Sequence, residues 1–462
     1  MVELRLDEIA AKINGRILQG DPFALFRSFN IDSRLSEPGE LFFAIVAKRN
    51  GHEFVPDAFR RGAGGAVVSQ DVPPPGREFA LVRVADTVAA LQALGRSALL
   101  DHPVKVIGIT GSVGKTTTKE FAASLLARRH SVLKSEGNFN NYLGLALSLL
   151  KLRPDHEVAV LEMGTSGFGE LRNLTWIAPP DVAVIININP VHLEFFRSPE
   201  GIALAKKEIL EGAKETAVAV LNGDDVLIQK IAASWRGRRI LFGRKPNFDI
   251  QASAVRKLGT KGLVVDLRLE ARRERVQLPF LYEEYLENLL AAVGAGHALS
   301  LPFDVMVDEI PHLTPFSRRG ELIRLARGVH VVDDSYNSNP RALQAALQGL
   351  ASLPAKRKVA VLGDMLELGE REAEFHRRAG RQAAANGWDL LLTVGPLARL
   401  IAEEAVAAGL PSSQVQAFDT VEEAAAAVPA LIHDGDLVLV KGSRGVKTER
   451  VVEKLKEKWR ED

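Results

Sequence analysis

Apolar residues come in short runs along this chain, separated by amphipathic stretches and by clusters of glycine, proline and polar residues. Runs at Phe42–Val46, Ala66–Ser69 and Leu81–Val84 predict strands, and Phe54–Arg61 and Thr87–Leu100 read as helices. Asp71–Arg77, with three successive prolines, is a loop. From Val104 the alternation is cleaner, with strands at Val104–Gly108, Glu157–Glu162 and Val182–Ile188 and a helix over Lys115–Ala127. Strands that are apolar throughout, separated by helices, indicate a parallel sheet buried on both faces. Asp249–Gln277 alternates apolar and charged positions, as a more exposed antiparallel segment would, and a long helix over Glu284–Leu299 follows. Strands are predicted again at Val329–Val332, Lys358–Leu362, Leu390–Val394 and Asp436–Val440, with helices over Arg341–Leu353 and Val421–Ile432. The predicted class is α/β in three domains, 1–85, 86–313 and 314–462.

Length agrees with that division, since 462 residues at roughly 150 per domain make about three. Fifty-nine basic against 58 acidic residues leave a net charge of +1, which gives no global field to draw in nucleic acid or an anionic membrane. With no cysteine, disulfides, thiolate metal sites and cysteine nucleophiles are excluded. Met1–Leu18 lacks the basic-then-apolar order of a signal peptide, and the most apolar stretch, Leu289–Phe303, is interrupted and too short to span a bilayer. A cytoplasmic, monomeric protein is expected.

The sharpest chemical signal is Gly108-Ile-Thr-Gly-Ser-Val-Gly-Lys-Thr-Thr117, directly after a predicted strand and before a predicted helix. Glycines let successive backbone N–H groups face a polyphosphate, and the helix N-terminus adds a favourable field. Thr110, Gly111, Ser112, Val113, Gly114, Lys115, Thr116 and Thr117 are therefore nucleotide-binding candidates. Lys115 is placed on the β- and γ-phosphates, and the Thr116 hydroxyl on Mg²⁺. The strict motif has glycine where Ile109 stands, so the loop is a variant, and nothing resembles a guanine-reading motif, which favours ATP. Kinase, ATPase, switch and ligase all remain open on this loop alone.

In a parallel sheet the carboxyl ends of strands form the ligand crevice. One such strand ends in Glu162-Met-Gly164, which points a carboxylate toward the phosphates and a Mg²⁺ ion. The next runs into Asn187-Ile-Asn-Pro-Val-His-Leu-Glu194 and brings His192 to the same edge. Lys206, on a helical segment, reads from spacing alone as a solvated lysine.

Thr110–Thr116, Glu136-Gly-Asn-Phe-Asn-Asn141, Glu162-Met-Gly164, His192-Leu-Glu194 and Ala205-Lys206 together resemble the Mur ligases, ATP-dependent amide-forming enzymes of peptidoglycan precursor synthesis. Asp32-Ser-Arg34, Gly39–Ala44 and Asn50-Gly-His52 are similar to the UDP-sugar-binding domain of the later members. Asp333–Pro340, Leu362–Gly369 and Lys441-Gly-Ser-Arg444 resemble the branch that adds D-alanyl-D-alanine. The resemblance implies a small UDP-binding domain, a central P-loop ATPase domain and a C-terminal Rossmann-like ligase domain. It implies ATP and Mg²⁺ as cofactors, and a UDP-N-acetylmuramoyl-tripeptide and D-alanyl-D-alanine as substrates. Lys115, Glu162, His192 and Lys206 become catalytic candidates, and Thr116, Glu162, His192 and a carbamylated Lys206 metal ligands. Asn288 and Asp334 are assigned to adenine and ribose, Arg319 to phosphate, and Ser33, Arg34 and Lys48 to the UDP end. Asn138, Asn141 and Asn337 are further substrate-binding candidates, the last for the incoming dipeptide.

One stretch departs from the family. Where it carries Gly-x-His-Asn-x-x-Asn before the long central helix, this chain reads Tyr282-Glu-Glu-Tyr-Leu-Glu-Asn288 and keeps only the final Asn. The implied chemistry activates the tripeptide carboxylate as an acyl phosphate, which the dipeptide amine attacks, with domain closure completing the site. A relative adding another amino acid, or an ATP-driven switch, are the competing readings; polar anchoring alone is the structural alternative for the Glu162 and His192 region.

Overall fold

The computed structural model describes residues 3–137, 139–189, 193–314 and 317–460, with the side chains of Leu193 and Glu194 outside that description. The chain forms two compact units. One comprises Met1–Ala252, Arg268–Arg273 and Leu286–Glu309, and the other Ser253–Leu267, Glu274–Tyr285 and Ile310–Asp462.

In the first unit a five-stranded sheet has the order Arg16–Gln19, Ala80–Arg83, Gly65–Val68, Leu41–Phe43, Phe29–Asn30. Only the first pair is antiparallel. The strand expected over Phe42–Val46 ends at Phe43, because Gly51 N–H bonds back to the Ile45 carbonyl and folds the intervening residues into a loop. The helix Thr87–Leu100 follows, started by the Asp86 carboxylate, which accepts the Val88 and Ala89 N–H groups. Its buried face, Ala90, Leu91, Leu94 and Ala98, has the spacing of a core-facing stripe. Gly95 lets this helix approach Tyr142–Leu149 closely, since a Cβ there would meet the Ala146 backbone. Ile9, Leu41, Val82 and Leu91 share one continuous core with Val106, Leu145, Leu161 and Ile185.

The second sheet of this unit places the phosphate-loop strand between two others. Lys105–Thr110 is flanked by Val158–Glu162 on one side and Val182–Ile185 on the other, all parallel. Val132–Lys134 lies outside Val158–Glu162, while Val218–Asn222 and Arg239–Gly243 continue beyond Val182–Ile185. The carboxyl ends of the two flanking strands therefore sit either side of the loop. The Asp249–Gln277 segment, most of which belongs to the other unit, forms Ile250–Lys257, Leu263–Leu269 and Arg272–Leu278, successive neighbours joined by short turns as antiparallel strands are.

In the second unit six strands lie in the order Glu321–Arg324, His330–Asp334, Asp436–Lys441, Arg357–Gly363, Leu390–Val394, Val415–Phe418. Only Glu321–Arg324 runs antiparallel to its neighbour. Val331, Val359, Val361, Leu392, Val438 and Val440 form its core with Val428, Val451 and Leu455 from the covering helices.

Candidate active site

Thr110 closes its strand fully buried, and Gly114 then adopts φ 85°, a left-handed conformation that glycine reaches without strain. The helix Lys115–Ala127 begins at the next residue, so its first N–H groups open onto the loop. A Cβ at Gly114 would strike the Asn288 amide, which places that buried side chain directly on the loop. Lys115 Nζ donates to the Gly111 carbonyl at 3.0 Å, and Thr117 is buried behind it.

The loop is braced from the strand end expected at Ile188. That strand stops at Ile185 because the following residues turn to serve the loop instead. Ser112 N–H donates to the Asn187 carbonyl (3.0 Å), Val113 N–H to Asn187 Oδ1 (3.1 Å), and Ser112 Oγ to the Asn189 carbonyl (3.0 Å). Asn187 Nδ2 in turn donates to Glu287 Oε2 at 3.2 Å. Sequence reasoning missed Asn187; its place after an apolar strand was the available signal.

Glu162 is 2 % exposed at the carboxyl end of its strand. Oε2 accepts from the Thr116 hydroxyl at 2.8 Å, and Oε1 from Asn140 Nδ2 at 2.9 Å. Its backbone N–H donates to Ser135 Oγ at 3.0 Å. A carboxylate and a hydroxyl side by side at a phosphate loop are hard oxygen donors of the kind Mg²⁺ takes. Among the described residues no three His, Asp or Glu side chains cluster as a metal cage. Asn140 faces the carboxylate, while Asn141, a substrate-binding candidate, caps the helix Tyr142–Leu149 by accepting the Gly144 N–H at 2.9 Å. Asn138 and His192 lie outside the described residues.

Lys206 overturns the solvated reading drawn from its spacing. Its side chain is 2 % exposed on the helix Pro199–Glu211, and no carboxylate pairs with it among the described residues. Burial first, and the charge of nearby Lys115 second, push its amine well below the usual lysine range, toward the neutral form. A neutral amine is the form that reacts with carbon dioxide. The same helix carries Glu208, whose carboxylate accepts N–H groups of Gly169 (2.7 Å) and Arg172 (3.2 Å) at the start of the helix Glu170–Ile177.

Among the early residues, Ser33 is buried and Arg34 is 81 % exposed, held by two bonds to Asp32 (2.9 and 2.6 Å). Lys48 is exposed on the Ile45–Gly51 loop. That loop is anchored by His52, which accepts the Ser69 N–H at Nε2 (2.8 Å) and so presents Nδ1–H to Asn50 Oδ1 (2.8 Å). Burial holds this imidazole below its usual pKa, consistent with a neutral structural histidine.

In the second unit Asp334 ends its strand against Lys441 Nζ at 2.6 Å, and Lys441 also donates to the Asn337 carbonyl at 3.0 Å. Burial raises the Asp334 pKa, with Lys441 opposing that rise. Exposed Asn337 turns its Oδ1 to the Ser338 N–H. The Arg319 guanidinium lies 4.2 Å from the centre of the Tyr336 ring. In the divergent stretch, Tyr282 and Tyr285 are buried rings 5.9 Å apart, and the Tyr285 hydroxyl donates to the Arg319 carbonyl. The departure is thus an aromatic cluster in place of a polar motif.

A strand–loop–helix for phosphate, with a buried carboxylate bonded to its threonine, defines a phosphate-loop nucleotide-binding protein. Family comparison narrows it: residues 109–296 match the Mur ligase middle domain and residues 318–444 the Mur ligase, glutamate ligase domain. The chain belongs to the Mur ligase family. It is 36 % identical over 426 residues to the UDP-N-acetylmuramoyl-tripeptide–D-alanyl-D-alanine ligase of Bacillus subtilis, covering 92 % of each chain. It is 32 % identical to the ligase of that name from Escherichia coli, over 99 % of both. The crystal structure of MurF from Acinetobacter baumannii superposes with a TM-score of 0.92 at 31 % identity, covering 99 % of both chains. That of the Thermotoga maritima MurF ligase in complex with ADP gives 0.80 at 32 % identity, over 94 % of this chain and 97 % of that one.

Proposed function

We propose that this protein joins D-alanyl-D-alanine to a UDP-N-acetylmuramoyl-tripeptide at the expense of ATP, releasing ADP and phosphate, as a cytoplasmic monomer of three domains (1–85, 86–313, 314–462). One observation carries the reading. A chain alike from end to end to ligases of that name bonds Thr116 of its phosphate loop to Glu162, and buries Lys206 within reach of the charge of Lys115.

The γ-phosphoryl group of ATP passes to a terminal carboxylate oxygen of the tripeptide, breaking its bond to ADP and forming an acyl phosphate. The dipeptide amine then attacks the acyl carbon, loses a proton, and phosphate departs as the amide forms. Lys115 and the N–H groups of Gly111–Thr117 hold and neutralise the polyphosphate. Thr116 and Glu162 would hold Mg²⁺, which when bound spreads the charge of the phosphate oxygens; His192 is proposed as a ligand of a second ion. Asn288 packs on the loop at the nucleotide. Lys206, once its amine has added carbon dioxide and released a proton, presents a negatively charged carbamate in place of an amine beside Lys115. On the family resemblance, Arg319 is proposed as a phosphate contact and Asp334 as a ribose contact of the nucleotide, and Ser33, Arg34, Lys48, Asn138, Asn141 and Asn337 as substrate contacts.

Tripeptide labelled with oxygen-18 in its terminal carboxylate tests the acyl phosphate. One label is expected in the released phosphate; phosphate free of label overturns this chemistry.

A further inference from the structure

Lys119 stands three residues after Thr116 on the helix Lys115–Ala127, on the same side of it. Its side chain is fully buried, which a cation tolerates only with its hydrogen bonds made. Nζ donates to the Ser135 carbonyl at 2.6 Å and the Gly137 carbonyl at 3.0 Å, with Glu120 Oε1 at 3.2 Å. Those carbonyls belong to the segment that leaves the strand Val132–Lys134 and leads into Asn140. The same segment grips Glu162 twice: Ser135 Oγ accepts the Glu162 N–H (3.0 Å), and Asn140 Nδ2 donates to Glu162 Oε1 (2.9 Å). The Asn140 carbonyl also accepts the Gly164 N–H at 2.8 Å, which fixes the residue from both ends. Glu162 Oε2 returns to Thr116 at 2.8 Å.

The contacts close a ring: helix to segment through Lys119, segment to strand end through Ser135 and Asn140, and strand end to helix through Glu162 and Thr116. We propose that Lys119 is a positioning residue for the divalent cation of the ATP complex. By clamping the Ser135 and Gly137 carbonyls it fixes the segment whose Asn140 turns the Glu162 carboxylate. One Glu162 oxygen is occupied by Asn140, so the other is directed at the Thr116 hydroxyl where the cation would sit. This rests on the assignment of Thr116 and Glu162 to the cation made above. Lysine suits the position because one ammonium can take two carbonyls at once, whereas methionine of similar length leaves both without a donor.

The test uses the full-length protein with Mn²⁺ as the probe, its binding followed by electron paramagnetic resonance with a non-hydrolysable ATP analogue, alongside the Mg²⁺ dependence of phosphate release. Lys119→Met is expected to weaken Mn²⁺ binding by about tenfold or more, the range for losing support behind a metal ligand. Half-saturation by the tripeptide should be unmoved, and Lys119→Arg should recover most of the loss. Asn140→Ala, which leaves the clamp intact, should reproduce the Mn²⁺ defect and serves as the test if Lys119→Met does not fold. Wild-type affinity in folded Lys119→Met, or in Asn140→Ala, overturns the positioning role. Wild-type protein that binds the analogue equally with and without Mn²⁺ instead overturns the underlying cation assignment, and the clamp with it.

Discussion

Lys115 and Lys206 are two lysines close enough for their charges to interact, with opposite expected roles. In the proposed reaction Lys115 acts as a cation on the phosphates, so Lys115→Ala should abolish phosphate release while circular dichroism and the unfolding midpoint stay near wild type. Lys206 is buried and shifted toward its neutral form, so the folded protein binds fewer protons there than the unfolded chain. Stability therefore rises with pH from the lowered folded pKa up to the ordinary lysine pKa of about 10.4, and no further gain comes above it. Lys206→Met removes that dependence. In buffer free of carbon dioxide its unfolding midpoint at neutral pH should exceed wild type, and a lower midpoint contradicts the account. Added bicarbonate should stimulate wild-type turnover, and carbon-13 from labelled bicarbonate should appear as a carbamate signal in wild type alone. That Lys115, Thr116 and Glu162 come together was legible in the sequence, because motif and strand end place them. Lys119, Asn140 and Asn187 were not, since their significance lies in carbonyls and carboxylates that only the folded chain brings to them.

Elements were legible where one physical signal sufficed. Thr87–Leu100 and Lys115–Ala127 form over the expected residues, the first from its Asp86 cap and apolar stripe, the second because glycine and threonine mark its start. Strands such as Val132–Lys134 and Arg239–Gly243 escaped notice, being short, bounded by charged residues and held by a neighbouring strand. Docking between helices is also invisible in sequence. Glu208 joins the Lys206 helix to the start of Glu170–Ile177 through two backbone N–H groups, the role of a capping side chain supplied from elsewhere in the chain. Glu208→Ala should cost about 1–2 kcal/mol in a urea unfolding series, as lost caps and buried hydrogen bonds do. Because the helix carries Lys206, bicarbonate stimulation should weaken too. Unchanged stability would show that the carboxylate does not hold the two helices.

At the scale of the molecule, the family follows from both matched domains and from relatives alike over nearly the whole chain. No helix among the described residues is long and apolar enough to cross a membrane. The balanced charge leaves substrate selection to local groups rather than to a global field. Sequence reached the α/β class through its apolar strands, but not the single core that the first segment shares with the phosphate-loop sheet. That core is built from contacts such as Leu41, Leu91 and Leu145, far apart in the chain and ordinary in type.

The proposed activity ties ATP cleavage to the joining of two particular substrates. Phosphate release should be measured with purified protein, ATP and Mg²⁺ across UDP-muramoyl di-, tri- and tetrapeptides, each against D-alanyl-D-alanine, D-alanine and L-amino acids. Release that requires the tripeptide and D-alanyl-D-alanine together, with a product heavier by one dipeptide residue pair, is the predicted result. Steady phosphate release indifferent to every acceptor would contradict the account and leave an ATP-driven switch in its place.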